Sequence, residues 1–223
     1  MLKTFYDDKN VEYSKIGNGR KKALSILCDG FVDSKKVLDL GCGQGTLARL
    51  WKAKSSHVIF YGADVSSVAL DRASSALDRK FLIDFQNFRE WPKEILETEF
   101  DYIVMSEVLE HLLEPENFMI SVRKITTNNT KVVITVPNLL FWKNRLRILF
   151  GNFEYKESGT MDRGHVHFFS WKSLNALLKE GGYEVEKVIN VVPDWYMRPF
   201  SGLFPGLFSY QFALRVKLTN SAS

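Results

Sequence analysis

Two cysteines in 223 residues, Cys28 and Cys42, are too few for a disulfide framework, and no CxxC spacing announces a zinc site. Both read as buried or structural thiols. No uninterrupted apolar run reaches the roughly eighteen residues of a bilayer-spanning helix. The opening MLKTFYDDKN has no apolar stretch of the kind a secretory signal requires, so a cytoplasmic location is expected. Internal repeats and low-complexity tracts are missing as well. No dense basic stripe or appended RNA-binding domain is visible, so nucleic acid is not the expected partner. The net charge of +4 is modest, with clusters at Arg20, Lys21, Lys22 and at Lys143, Arg145, Arg147 that suit an anionic substrate or surface.

What is present is an ordinary globular composition, 45% apolar and 25% charged. One domain over residues 1–223 is expected, with cap or insert elements near 138–169 and 193–210. From Lys36 onward, short apolar runs alternate with helical stretches, the pattern of a parallel sheet covered on both faces by helices. Strands are predicted at Lys36–Leu40, His57–Ala63, Phe81–Asp84, Tyr102–Ser106, Lys131–Val136, Tyr183–Val192 and Phe212–Lys217. Helices are predicted at Thr46–Lys54, Ser67–Ala76, Leu109–Leu113 with Glu116–Lys124, and Trp171–Lys179, the last stopped by Gly181-Gly182. The two remaining long connections are rich in aromatic and basic residues (138–169) or in apolar residues, Pro and Gly (193–210), and are candidates for a substrate-binding cap.

The most informative segment is Val37-Leu38-Asp39-Leu40 followed by Gly41, Gly43 and Gly45. Alternate glycines after a parallel strand let the backbone turn sharply and let a ligand approach main-chain atoms. Dinucleotide-binding turns use G-x-G-x-x-G at the same place, but Leu47 and Ala48 offer no glycine at that position. VLDLGCGQG resembles the first motif of class I S-adenosylmethionine-dependent methyltransferases. Three later landmarks extend the resemblance in order: Asp64 in YGADVS, Asp84-Phe85, and FDYIVMSEVLEHL from Phe100 to Leu112. It implies a three-layer Rossmann-like α/β fold, with a seven-stranded, mostly parallel sheet whose last strand is antiparallel. It also implies S-adenosylmethionine as methyl donor. Asp64 is then expected to accept from the ribose hydroxyls, which one carboxylate can do simultaneously, and Asp84 and Phe85 to meet the adenine. Asp39, Gly41, Gly43, Gly45 and Ser106 complete the expected cofactor set. Capping of the next helix by Asp64 or Ser66 is a competing use that leaves the spacing from the glycine turn unexplained.

An activated methyl group needs an aligned nucleophile and a route for its proton. Glu107, Glu110 and His111, at i, i+3 and i+4 of a predicted helix, would share one face. His111 is a candidate general base, its imidazole titrating near neutrality; organising the loop is the other use open to it. His165 and His167, two apart in an extended segment, would point the same way, and one could approach His111 over the cofactor. His111 and His165 are the candidate catalytic pair. The set Glu107, Glu110, His111 and a later histidine also resembles the metal sites of small-RNA 2′-O-methyltransferases and ubiquinone-pathway O-methyltransferases, which leaves a divalent metal open.

The acceptor is less legible. Residues 136–174 resemble methyltransferases associated with glycan and methionine-pathway gene neighbourhoods, a similarity that spans nearly the whole chain; ubiquinone-type small-molecule methyltransferases are the other resemblance. The expectation is O-methylation of a sugar, sugar-phosphate or lipid-linked glycan. Metal-assisted methylation of an RNA 2′-hydroxyl and a non-catalytic S-adenosylmethionine-binding regulatory module are the alternatives. Lys143, Arg145 and Arg147 either bind an anionic group or are solvated on a cap helix whose Trp142, Leu146 and Leu149 pack inward. Around 193–210, Trp195, Tyr196, Met197, Phe200, Leu203, Phe204, Leu207, Phe208 and Tyr210 suggest a lid, a homodimer surface or a membrane-surface contact.

Overall fold

A computed structural model describes residues 17–193 and 195–219, so the readings of the N-terminal segment and of the Trp195 side chain lie outside the described residues. The strands are β1 (Lys36–Leu40), β2 (Ile59–Asp64), β3 (Arg79–Leu82), β4 (Tyr102–Ser106), β5 (Lys131–Pro137), β6 (Tyr183–Val191) and β7 (Gln211–Leu218). They form one sheet in the order β3-β2-β1-β4-β5-β7-β6. β7 alone runs against its neighbours β5 and β6; the pairs among β1 to β5 are parallel. This is the expected fold class. β3 starts two residues earlier than the apolar run suggested, because Arg79 and Lys80 pair with Tyr61 and Gly62 although both side chains are exposed. Backbone pairing, rather than hydropathy, sets an edge strand's limits.

The helices are α1 (Asn18–Leu27), α2 (Thr46–Lys52), α3 (Ser67–Ala73), α4 (Lys93–Glu97), α5 (Pro115–Arg123), α6 (Trp142–Leu149), α7 (Trp171–Glu180), α8 (Arg198–Ser201) and α9 (Pro205–Phe208). On one face of the sheet, Ala23, Leu24 and Leu27 of α1 and Leu47, Ala48 and Trp51 of α2 pack on Val37, Phe60 and Val104. Trp51 is fully buried, meets Phe60 and Tyr102 edge-on, and donates its indole N–H to the Val32 carbonyl at 3.0 Å. On the other face, Phe118, Met119 and Val122 of α5 and Leu174, Leu177 and Leu178 of α7 cover Leu38, Leu40, Ile103 and Ile134. Burying each such leucine contributes roughly 1.5–3 kcal/mol. The sheet is thus the middle of three layers.

Helix α1 is a correction to the sequence reading, which took Arg20-Lys21-Lys22 only as a charge cluster. Ala23, Leu24 and Leu27 have the spacing of one helical face and carry the helix onto the sheet. A second correction concerns residues 107–113. Glu107 sits at φ +60° and Leu109–His111 form a single 3-10 turn, so these residues share no α-helical face.

Helices α6 and α7 both begin Trp-Lys but face opposite ways. Helix α7 is held at its start by reciprocal Ser170–Ser173 bonds and buries its leucines. In α6 the buried residue is Asn144, whose side-chain amide donates to the Leu139 carbonyl at 2.9 Å and to Thr160 Oγ1 at 2.8 Å. Leu146 and Leu149 consequently face outward rather than inward as expected. A buried amide left without these partners would cost about 1–3 kcal/mol, so the polar anchor determines which side of the helix is inside.

Candidate functional site

The turn after β1 explains its glycines. Gly41, Gly43 and Gly45 take φ of +79°, +51° and +74°, the left-handed region in which a side chain is strained. A Cβ on Gly41 would lie 2.5 Å from Val108 Cγ2, so the turn passes under the segment after β4 only because no side chain is there. Gly45 serves packing instead: a Cβ there would crowd Ala73 and Ala76 of the following helix layer at 3.1 and 3.3 Å. The N–H groups of Gly41 and Cys42 donate to the Ala63 carbonyl at the end of β2. Asp64 then closes the turn, its carboxylate accepting from Gly43 N–H at 2.8 Å and from Ser66 N–H at 2.9 Å. Capping of α3 falls to Ser66, whose hydroxyl accepts from Ala69 N–H. Asp39 is buried one strand away, and burial, reinforced by the Asp64 carboxylate, pushes it up to about 7.

These groups border a cavity of about 760 Å³ at the C-terminal ends of the parallel strands, where ligands bind in open α/β sheets. Asp39, Gly41, Gly43, Asp64, Asp84, Phe85, Ser106 and His111 all line it; Gly45 and His165 do not. Asp84 is exposed and turned by a bond from Gln86 N–H, while Phe85 is buried edge-on against Phe118. Ser106 is held within 3.0 Å of the Thr135 hydroxyl. Arg20 also lines the cavity; the sequence showed it as part of a basic cluster but not that α1 carries it to this site. Its guanidinium lies 3.5 Å from Glu107.

The far wall is built by two segments some fifty residues apart. The Glu110 carbonyl accepts from Val166 N–H (2.9 Å) and His167 N–H (3.0 Å), clamping the 162–167 loop to the turn after β4. Asp162 shapes that loop by accepting from Gly164 N–H at 2.6 Å. His111 Nδ1 bonds the Gly164 carbonyl at 2.9 Å. A carbonyl only accepts, so Nδ1 carries a proton, and Nε2 is the atom through which the ring would meet an ion. The His111 and His165 rings meet edge-on at 4.8 Å between centroids. His167 diverges from this pair, contrary to expectation: its Nε2 donates to the Leu113 carbonyl and its ring stacks near Phe169.

Two carboxylates stand under these histidines. Glu107 accepts from Gln211 (2.6 Å) and Thr135 (3.1 Å), and burial raises its pKa despite the neighbouring Arg20. Glu110 is fully buried and its carboxylate oxygens meet no hydrogen-bond donor from another residue, only its own backbone N–H standing near; burial and then the Glu107 charge hold its pKa well above the ordinary range. One ligand atom each from Glu110, His111 and His165 lie within 4.8 Å of one another. His165 borders a smaller open cavity with Glu154, Tyr155 and Arg163, so the cluster stands between two openings.

Comparison with known proteins agrees with this geometry. The family described as "Methyltransferase domain" matches residues 18–188. Bovine mitochondrial ubiquinone biosynthesis O-methyltransferase is 28% identical over 176 residues, covering 75% of this chain. That match spans only 45% of the bovine enzyme's length. Demethylmenaquinone methyltransferase of Thermotoga maritima is 25% identical over 182 residues, 74% of this chain and 76% of its own. Among solved structures, magnesium protoporphyrin IX methyltransferase of Synechocystis, with bound S-adenosylhomocysteine, superposes with a TM-score of 0.67 at 12% identity, covering 98% of both chains. With the glycine turn, the acid after β2 and the strand order in their places, the chain belongs to the methyltransferase domain family and has the class I methyltransferase fold.

Proposed function

We propose that the protein is a divalent-metal-assisted O-methyltransferase whose acceptor is a hydroxylated ring of quinone-precursor type. The observation that carries the metal is Glu110. A carboxylate buried without a hydrogen-bond donor from another residue is costly, and two imidazoles beside it complete a nitrogen and oxygen donor set that borderline divalent cations accept. His111 offers Nε2 to such an ion because Nδ1 is committed to Gly164, the arrangement that orients a ligating imidazole. Glu107, fixed by Gln211 and Thr135, supplies a second negative charge nearby. A bound divalent cation would acidify and orient an acceptor hydroxyl.

The cofactor roles follow from the other wall. Asp64 is proposed to accept from the ribose, Asp84 and Phe85 to meet the adenine, and the Gly41–Gly43 backbone with Asp39 and Ser106 to hold the amino-acid end. Arg20 is placed to balance that end's carboxylate. S-adenosylmethionine supplies an electrophilic methyl group, which leaves alignment and proton removal to the protein. With Nδ1 on Gly164 and Nε2 on the ion, His111 would act as a ligand, and the proton of the acidified hydroxyl would leave to solvent. The aromatic acceptor is favoured over the sugar or glycan expected from sequence on two grounds: Val108, Leu112, Leu113 and Val166 make the acceptor side apolar, and the related enzymes named above act in quinone pathways by name.

The test combines chelation with a labelled-methyl assay on catechol-type and sugar acceptors. Chelated protein is expected to keep S-adenosylhomocysteine binding and lose transfer to the catechol, with recovery on adding a divalent cation. Undiminished transfer after exhaustive chelation, with no metal by mass spectrometry, would overturn the metal. Transfer to sugars but not catechols would overturn the acceptor class.

A further inference from the structure

The two excursions at the strand C-terminal rim, 138–169 and 193–210, are knitted together. Asn138 donates to the Gly206 and Ser209 carbonyls, Arg145 donates to Gly206, and Phe141 packs edge-on against Tyr210. Around α6 and α8–α9, much of what they display outward is apolar. Leu149 is 75%, Phe150 81% and Leu203 76% exposed, with Phe200 and Phe204 at least half exposed beside them in sequence. The inversion of α6 by buried Asn144 is what turns its leucines to solvent, a cost with no return in folding.

The charges interleaved with these residues are of one sign. Between Leu139 and Phe153 the charged residues are Lys143, Arg145 and Arg147, and among the described residues from 195 to 210 the only charge is Arg198. We propose that this face docks on an anionic lipid surface, with Leu149, Phe150, Leu203 and Phe204 entering the headgroup boundary and the cations meeting lipid phosphates. Exposed aromatic and aliphatic side chains alternating with Lys and Arg are the composition of interfacial segments. A second copy of the chain fits less well, because self-pairing through residues 139–153 and 195–210 would set these cations against one another, with no acid inside those two ranges to offset them. No helix among the described residues is long and apolar enough to cross a membrane, so the contact is with its surface. The docked face borders the rim on which the cavity opens, which suits an acceptor carried in the bilayer.

The test is sedimentation of the full chain with vesicles of phosphatidylcholine alone or mixed with phosphatidylglycerol. Binding is expected only to the anionic vesicles, weakening as salt rises. Leu149→Glu with Phe150→Glu, and separately Lys143→Glu with Arg147→Glu, should each reduce binding at least about tenfold, while S-adenosylhomocysteine affinity, which reports folding, stays unchanged. Equal binding to neutral and anionic vesicles, or variants that bind like the parent, would overturn the proposal. So would a dimer that the Leu149 and Phe150 changes dissociate in a protein that ignores vesicles. No acceptor or metal enters this measurement, so its failure is distinct from failure of the proposed activity.

Discussion

The two walls of the cavity are built differently. The glycine-turn wall comes from one β-α-β stretch, residues 39–66, and its polar groups are closed by nearby backbone: Asp64 binds Gly43 and Ser66, and Ala63 accepts from Gly41 and Cys42. The opposite wall joins 107–111 to 162–167 and leaves the Glu110 carboxylate buried without a hydrogen-bond donor from another residue. A wall with its bonds made locally holds a constant ligand. A wall with a buried carboxyl that no other residue satisfies is suited to something that arrives from outside.

Glu110→Gln should separate the two walls most sharply. Glutamine keeps the shape but removes the anionic ligand, so transfer to acceptor is expected to fall on the order of a hundredfold while S-adenosylhomocysteine affinity holds, as read by calorimetry and a methyl-transfer assay. Equal loss of both would show that the walls are not independent. Gly41→Val should break the other side. Its Cβ meets Val108 and its φ of +79° disfavours a β-branched residue, so cofactor affinity is expected to drop about tenfold or more. Unaltered affinity would mean that the turn yields more readily than its geometry indicates.

The effect at Asp39 is read on stability and does not compare the walls directly. Its folded pKa of about 7 is above the unfolded value near 3.9, so its contribution to stability is complete below about pH 4 and is lost as pH rises through 7. Thermal unfolding of the cofactor-free protein should therefore show a decline across that window, at most about 1.4 kcal/mol per pH unit from this group. Asp39→Asn should flatten it. A decline of the same size in Asp39→Asn would assign the pH dependence to another group.

Much of the glycine-turn wall was legible because its signals are local. A strand ending in alternate glycines, with an acid one helix and one strand later, constrains backbone geometry over some twenty-five residues, and Asp39, Gly41, Gly43, Asp64, Asp84, Phe85 and Ser106 all reached the cavity. Arg20 was seen as one of a basic cluster, but the helix that brings it to the cavity was not, although Ala23, Leu24 and Leu27 carry a helical face. On the acceptor wall the residue types were identified and their arrangement was not. The expected helical face at 107–111 is a left-handed residue followed by a 3-10 turn, and His167 turns away from His165.

By itself, then, the sequence determined the alternation of strands and helices, the glycine turn and the methyl donor. Each rests on conformational preferences acting over short spans. Only the tertiary structure decided that His111 and His165 meet above a buried Glu110, because that meeting depends on a backbone clamp across fifty residues. It also decided that α6 shows its leucines to the outside. An amphipathic pattern identifies two faces but not which is buried, and in α6 two hydrogen bonds from Asn144 make that choice.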